Sequence, residues 1–160
     1  MSISKAINLS QAVEAVRPAY VWELKDIFNF FEDIDSILAL PVEAHMGDRI
    51  SDRISELLIQ YPSSTQVCAS AKWYKAAVYK CEYDRIAQMI KSKDIPEELK
   101  GLTSPSILKN YIESRIADFI HIETKADRTN SAITHTLDAL RSLLSSAKVE
   151  RQISSYAQNV

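Results

Sequence analysis

From Ser106 to Val160 the chain holds neither glycine nor proline, and apolar side chains recur there at alternating steps of four and three residues. The series runs Ile112, Ile116, Phe119, Glu123, Ala126, Asn130, Ile133, Leu137, Leu140, Leu144, Ala147 and Arg151. That spacing keeps the positions on one seam of a long helix, which seeks partner helices to cover it. Ile133, Leu137, Leu140 and Leu144 are the expected oligomerisation contacts. Asn130 interrupts the seam. It either specifies register and oligomeric state at a cost in stability or marks a bend, so residues 105–157 read as one helix or as two folded back near Asp127 to Ser131.

The same periodicity extends upstream. A short helix is expected from near Asn8 or Ser10, turning at Arg17-Pro18 because the residue before proline avoids helical geometry. Pro18 then fits the first turn of a second helix. Val21, Leu24, Ile27, Phe28, Phe31, Ile34 and Leu38 line one face of it, and Glu23, Asp26, Glu32, Asp33 and Asp35 make the other face acidic. Pro41 opens a further helix carrying Val42, Met46, Ile50, Ile54, Leu57, Leu58 and Tyr61. Gly47 weakens that helix by about 1 kcal/mol relative to alanine.

Tyr61-Pro62-Ser63-Ser64 reads as its end, and a long helix follows from Thr65 to Lys91. Pro96 and Gly101 mark residues 92–103 as the longest connection, after which Ser104-Pro105 places a hydroxyl at the cap and a proline at the first helical position. The predicted fold is all-α: a helical bundle with a long C-terminal helix or helical hairpin carrying a coiled-coil-like seam. With 160 residues, 46% hydrophobic and 25% charged, the chain buries one ordinary core, and a single domain is expected. Within it lie acidic N-terminal helices (1–63), a basic helix (64–93), a loop (94–104) and the C-terminal helical segment (105–157).

Composition sharpens this picture. Two glycines, five prolines and no Asn-Gly or Asp-Gly argue against a hairpin-rich fold. No uninterrupted apolar run reaches membrane-spanning length and the N-terminus lacks a secretory pattern, so an intracellular, cytoplasmic protein without a membrane partner is expected. Cys68 and Cys81 lie roughly 20 Å apart along one helix, too far to pair, and Cys81 falls on its apolar side. Residues 1–63 carry ten acids against five bases, whereas residues 64–160 carry eleven acids against fourteen bases. This polarity places an acidic element beside a basic one or offers two faces to different partners.

The helix after Thr65 is the richest in candidate chemistry. At 100° per residue, Val67, Tyr74, Ala77, Val78, Cys81 and Met89 group on one side, while Lys72, Trp73, Lys75, Tyr79, Lys80 and Tyr83 collect opposite. Lysines meet phosphates and aromatic rings accept stacked bases, a combination that suits single-stranded nucleic acid without sequence readout. The bland alternative is that the rings pack on a neighbouring helix while the lysine stems lie over them.

Other candidates offer less. His45, His121 and His135 are far apart, and Asp118 with His121 forms a single carboxylate-imidazole pair where a helical di-metal site needs several carboxylates and two such pairs. No glycine-rich phosphate loop, GxSxG or HExxH motif is present, so neither an enzyme nor a metal or other cofactor is expected. Glu123, Lys125, Asp127, Arg128, Asn130 and Ser131 form a polar interruption, read as a partner or DNA contact or as a solvated helix junction. Arg141, Lys148 and Arg151 give the last helix a basic edge.

The segments AKWYKAAVYKCEYDRIAQ, SPSILKNYIESRIADF and ITHTLDALRSLLSSAKVE together resemble small helical proteins encoded by bacteriophages and prophages beside replication and recombination genes. More distantly they are similar to phage recombination mediators of the UvsY type. The likeness covers about residues 64–151 and rests on helix order and a Lys-Trp spacing. It implies a helical protein that oligomerises through C-terminal helices and binds single-stranded DNA, with Lys72, Trp73, Lys75 and Lys80 as strand contacts and Ile133 to Leu144 as the assembly seam. Residues 1–63 have no counterpart, and their acidity opens a second expectation. In it, a protein-binding adaptor or inhibitor of a host defence protein uses the acidic face of Glu23, Asp26, Glu32 and Asp35.

Overall fold

A computed structural model describes residues 11–40, 47–93 and 104–158, and all regular structure among them is helical. A helical turn over 11–14 precedes α1 (Leu24–Ala39), α2 (Gly47–Ser92), α3 (Pro105–Arg115) and α4 (Ala117–Gln158). The all-α class expected from the periodicity holds. The chain divides into two compact units, Met1–Glu23 with Cys68–Lys125 and Leu24–Val67 with Ala126–Val160, so α2 and α4 each supply residues to both.

In the unit of Leu24–Val67 and Ala126–Val160, three amphipathic stripes form the core. Ile27, Phe30, Phe31 and Ile34 come from α1, Ile50, Leu57 and Val67 from α2, and Ala126, Ile133, Leu137 and Leu140 from α4. Burying an isoleucine, leucine or phenylalanine of this kind stabilises by roughly 1.5–3 kcal/mol. The C-terminal seam is thus real as a pattern, but its inner positions Ile133, Leu137 and Leu140 are covered within the chain's own fold. Asn130, on that seam, faces Ser64, whose hydroxyl lies 2.7 Å from Asn130 Oδ1 and 2.8 Å from the Tyr61 carbonyl oxygen. Buried Arg53 donates from Nη2 to the Leu40 carbonyl at 3.4 Å, placing a cation just past the C-terminal end of α1 where the helix dipole favours it.

In the other unit, Val13, Val21, Ala71, Tyr74, Val78, Ile86, Ile112, Ile116, Phe119 and Ile122 are buried. Tyr74 stacks on Phe119 at 6.4 Å, Lys75 meets Glu123 at 2.6 Å and Glu82 meets Arg115 at 2.9 Å. From Lys75 to Glu82 the partner moves back from Glu123 on α4 to Arg115 on α3, so the packing is antiparallel here. The Tyr74 hydroxyl donates to Glu14 Oε1 at 2.6 Å, and the Trp22 amide donates to Ser70 Oγ at 3.0 Å.

Several boundaries differ from those expected. The second helix begins at Leu24, not Pro18, because Arg17 forks to Glu14 at 3.0 Å, to Glu23 at 2.9 Å and to the Val21 carbonyl, fixing a turn between. On α1 Phe30 is buried and Phe28 is 48% exposed, the reverse of the predicted face. Helix α2 does not end at Tyr61-Pro62 but runs through it. The missing proline N–H costs one bond, and a turn later the Thr65 hydroxyl donates to the Tyr61 carbonyl at 3.3 Å, with the Ser64 hydroxyl 2.8 Å from the same oxygen. The C-terminal segment breaks at Ile116 (φ −104°, ψ 17°) and is continuous across 127–131. Ser104 caps α3 as expected, its Oγ accepting from the Ile107 amide at 3.3 Å with proline following. The readings placed on Asn8, Ser10, Pro41, Val42, His45, Met46, Pro96 and Gly101 lie outside the described residues.

Candidate nucleic-acid interface

The solvent face of α2 is set by what its other face buries. Ala71, Tyr74, Val78, Glu82 and Ile86 make the inner stripe, at steps of three and four. Opposite it, Lys72, Ala76, Lys80 and Tyr83 are exposed on one line, with Trp73 and Tyr79 half-buried at its edges. Tyr83 is 49% exposed, the most open ring of the group. Trp73 stands edge-on to buried Tyr74 with centroids 5.1 Å apart, so its own position is held by the core. Ala76 carries no bulk above Cβ and leaves the backbone open to close approach between Lys72 and Lys80. A pattern of charges and rings does not single it out, because its signal lies in its size and neighbours.

Lys75 departs from the expected set. Its ammonium pairs with Glu123 at 2.6 Å, and the Glu123 side chain keeps 19% of its accessible surface. The charge that Lys75 would present to a phosphate is therefore engaged by a carboxylate of α4. Lys72 and Lys80 are the exposed cations of the stripe.

Glu82 explains why the inner stripe follows this line. It is 1% exposed, and its Oε2 accepts from Arg85 Nη2 at 2.8 Å and from Arg115 Nε at 2.9 Å. Burial alone pushes its carboxyl pKa up, but the hydrogen bonds and charges of Arg85 and Arg115 outweigh that and hold it below the ordinary value. The same pairing raises the Arg115 pKa against the opposing effect of burial. With Glu82 turned inward, Cys81 is carried to the surface and is exposed, correcting its expected place on the apolar side. Cys68 is half-buried.

The remaining candidates are dispersed. Asp118, His121 and His135 are exposed, and no three metal-ligating side chains converge among the described residues. Of the polar interruption, Glu123 and Asn130 face α2, Asp127 and Arg128 are exposed, and Ser131 bonds to the Asp127 carbonyl at 2.9 Å. Glu23, Asp26, Glu32, Asp33 and Asp35 are all exposed, as are Arg141, Lys148 and Arg151. Leu144 is half-buried, where the seam leaves its intrachain cover.

The α2 stripe offers cations, aromatic faces and a small residue between them. Among the described residues no helix is long and apolar enough to cross a membrane. No protein-family model, curated protein or solved structure matches this chain.

Proposed function

We propose that this chain is a non-enzymatic, self-associating helical protein that holds single-stranded nucleic acid along the solvent face of α2. A phage or prophage accessory of recombination or replication is the setting this reading fits. The observation that carries it is the exposure of Lys72, Lys80 and Tyr83 on one line, with Trp73 and Tyr79 half-exposed beside them. Phosphates pair with Lys72 and Lys80, and bases stack on Tyr83 and the open part of Trp73, which requires no base-specific hydrogen bonds. Each subunit contributes a short contact, and association multiplies the contacts along one strand.

The test is fluorescence anisotropy of a labelled single-stranded oligonucleotide, with Lys72→Glu/Lys80→Glu as the variant. Reversing two exposed charges leaves the core intact, so lost binding in a normally folded variant supports the assignment. Unchanged binding assigns the strand to another surface.

A second reading rests on the uniform exposure of Asp26, Glu32, Asp33 and Asp35 on α1. In it the chain is an adaptor or inhibitor that engages a basic protein through this helix. A pull-down that recovers such a protein, with no oligonucleotide bound even at low salt, favours it.

A further inference from the structure

Beyond Leu140 the apolar seam of α4 loses its cover in steps: Leu144 and Ala147 are half-buried and Arg151 is exposed. Residues 148–155 are all exposed, among them Val149 at 53% and Ile153 at 63%. Ser142, Ser145 and Ser146 bond back to carbonyls four residues earlier, a pattern that competes with helix formation. A terminal helix left uncovered in this way gains little stability by itself, since helices in proteins are stabilised mainly by packing of one face. It carries Arg141, Lys148 and Arg151 against Glu150, and Arg141 pairs at 3.4 Å with Asp138 on its own helix, both side chains being more than half exposed.

Helix α1, in the same unit, presents the opposite character. Phe28, Glu32 and Asp35 follow at steps of four and three, hence on one exposed line, and Phe28 is 48% exposed. Four acids, Asp26, Glu32, Asp33 and Asp35, stand on this helix against Lys25 alone. Arg141 and Lys148 are also seven residues apart on one line of α4, with Val149 beside them. Helix α1 therefore offers an acidic row with Phe28 on it, and α4 a basic row with the exposed Val149 one position round the helix from Lys148.

We propose that a second copy of this chain docks here, the basic C-terminal edge of α4 in one copy lying on the acidic Phe28–Glu32–Asp35 line of α1 in the other. A two-fold arrangement uses both contacts at once and leaves neither edge open. This gives the self-association in the proposed function a surface other than the covered seam, and it stands whether or not α2 binds a strand. Opposite charges fix the pairing and make it salt-dependent, while Phe28 and Val149 supply apolar area.

Sedimentation velocity on the full chain tests it. The wild type is expected at about 36 kDa, twice the 18.1 kDa of one chain, with the dimer weakening as salt rises. Glu32→Lys/Asp35→Lys and Arg141→Glu/Lys148→Glu are each expected to run as monomers with unchanged circular dichroism. Mixed in equal amounts, they are expected to regain the dimer, because each supplies the charge the other now needs. A monomeric wild type, swapped variants that keep the wild-type mass, or a mixture that stays monomeric would each overturn the proposal.

Discussion

Ser64 and Asn130 meet at 2.7 Å across α2 and α4, and Ser64 is 1% exposed. A buried polar pair contributes little net stability when both partners are present, yet removal of one leaves the other unsatisfied. Ser64→Ala and Asn130→Leu should each cost about 1–2 kcal/mol. The double variant should cost less than the sum, since neither partner is then orphaned. Urea unfolding of the four proteins measures the coupling. Strict additivity would mean that the pair does not act as a unit.

Glu82 should make the fold acid-sensitive. Its folded-state pKa lies below the ordinary value of 4.5, held there by Arg85 and Arg115 against the opposing effect of burial. Its stabilising contribution is therefore complete above the unfolded-state pKa and is lost as pH falls through the folded-state value. Glu82→Gln should destabilise by about 3 kcal/mol at neutral pH, by leaving two guanidinium groups without their carboxylate, and should flatten the acid limb of a stability profile. Chemical unfolding at a series of pH values reads both effects. An acid limb that keeps its slope in the variant would assign the sensitivity to other carboxylates.

Tyr74 works in the opposite direction. Burial first, then its hydrogen bond to Glu14 and the charge of that carboxylate, raise the phenol pKa well above the usual 10. The neutral form is favoured in the fold, so its contribution is present below pH 10 and declines as pH rises toward the folded-state value. Tyr74→Phe should cost about 1–2 kcal/mol by removing the bond to Glu14, and should weaken the alkaline loss of stability. Alkaline unfolding curves of both proteins provide the comparison. Parallel curves would show that Tyr74 does not govern that limb.

Much of this fold was legible as a helical pattern, because the repeat Ile133, Leu137, Leu140 and the Ser104-Pro105 cap depend on local spacing and local hydrogen bonds. What covers the repeat was not legible. Spacing describes an apolar face equally whether its partner is the same chain or another, and here Ile133, Leu137 and Leu140 are covered from within. Pro62 misled for a related reason: its local cost is genuine, yet a long helix packed on both sides of it absorbs that cost. The break at Ile116 has no glycine or proline to announce it and follows directly after Arg115, which is held by Glu82 from α2. The solvent stripe of Lys72, Lys80 and Tyr83 followed from helical geometry alone. The capture of Lys75 by Glu123 depends on how α4 packs and could not.

That capture has a functional consequence under the strand-binding proposal. Glu123→Gln removes the carboxylate that holds Lys75 and leaves the ammonium able to reach a phosphate. Single-stranded binding should tighten, and the slope of log affinity against log salt should steepen by about 0.7, the value of one added phosphate contact. A salt titration of the variant beside the wild type measures it. An unchanged slope would mean that Lys75 lies beyond the path of the strand.

The most direct test of the central claim is the salt dependence of oligonucleotide anisotropy for the wild type and for Lys72→Ala/Lys80→Ala. The account predicts salt-sensitive single-strand binding by the wild type, with a slope reduced by roughly 1.4 in the variant, two phosphate contacts having been lost. No binding by the wild type at low salt, or an identical slope in a folded variant, would contradict it.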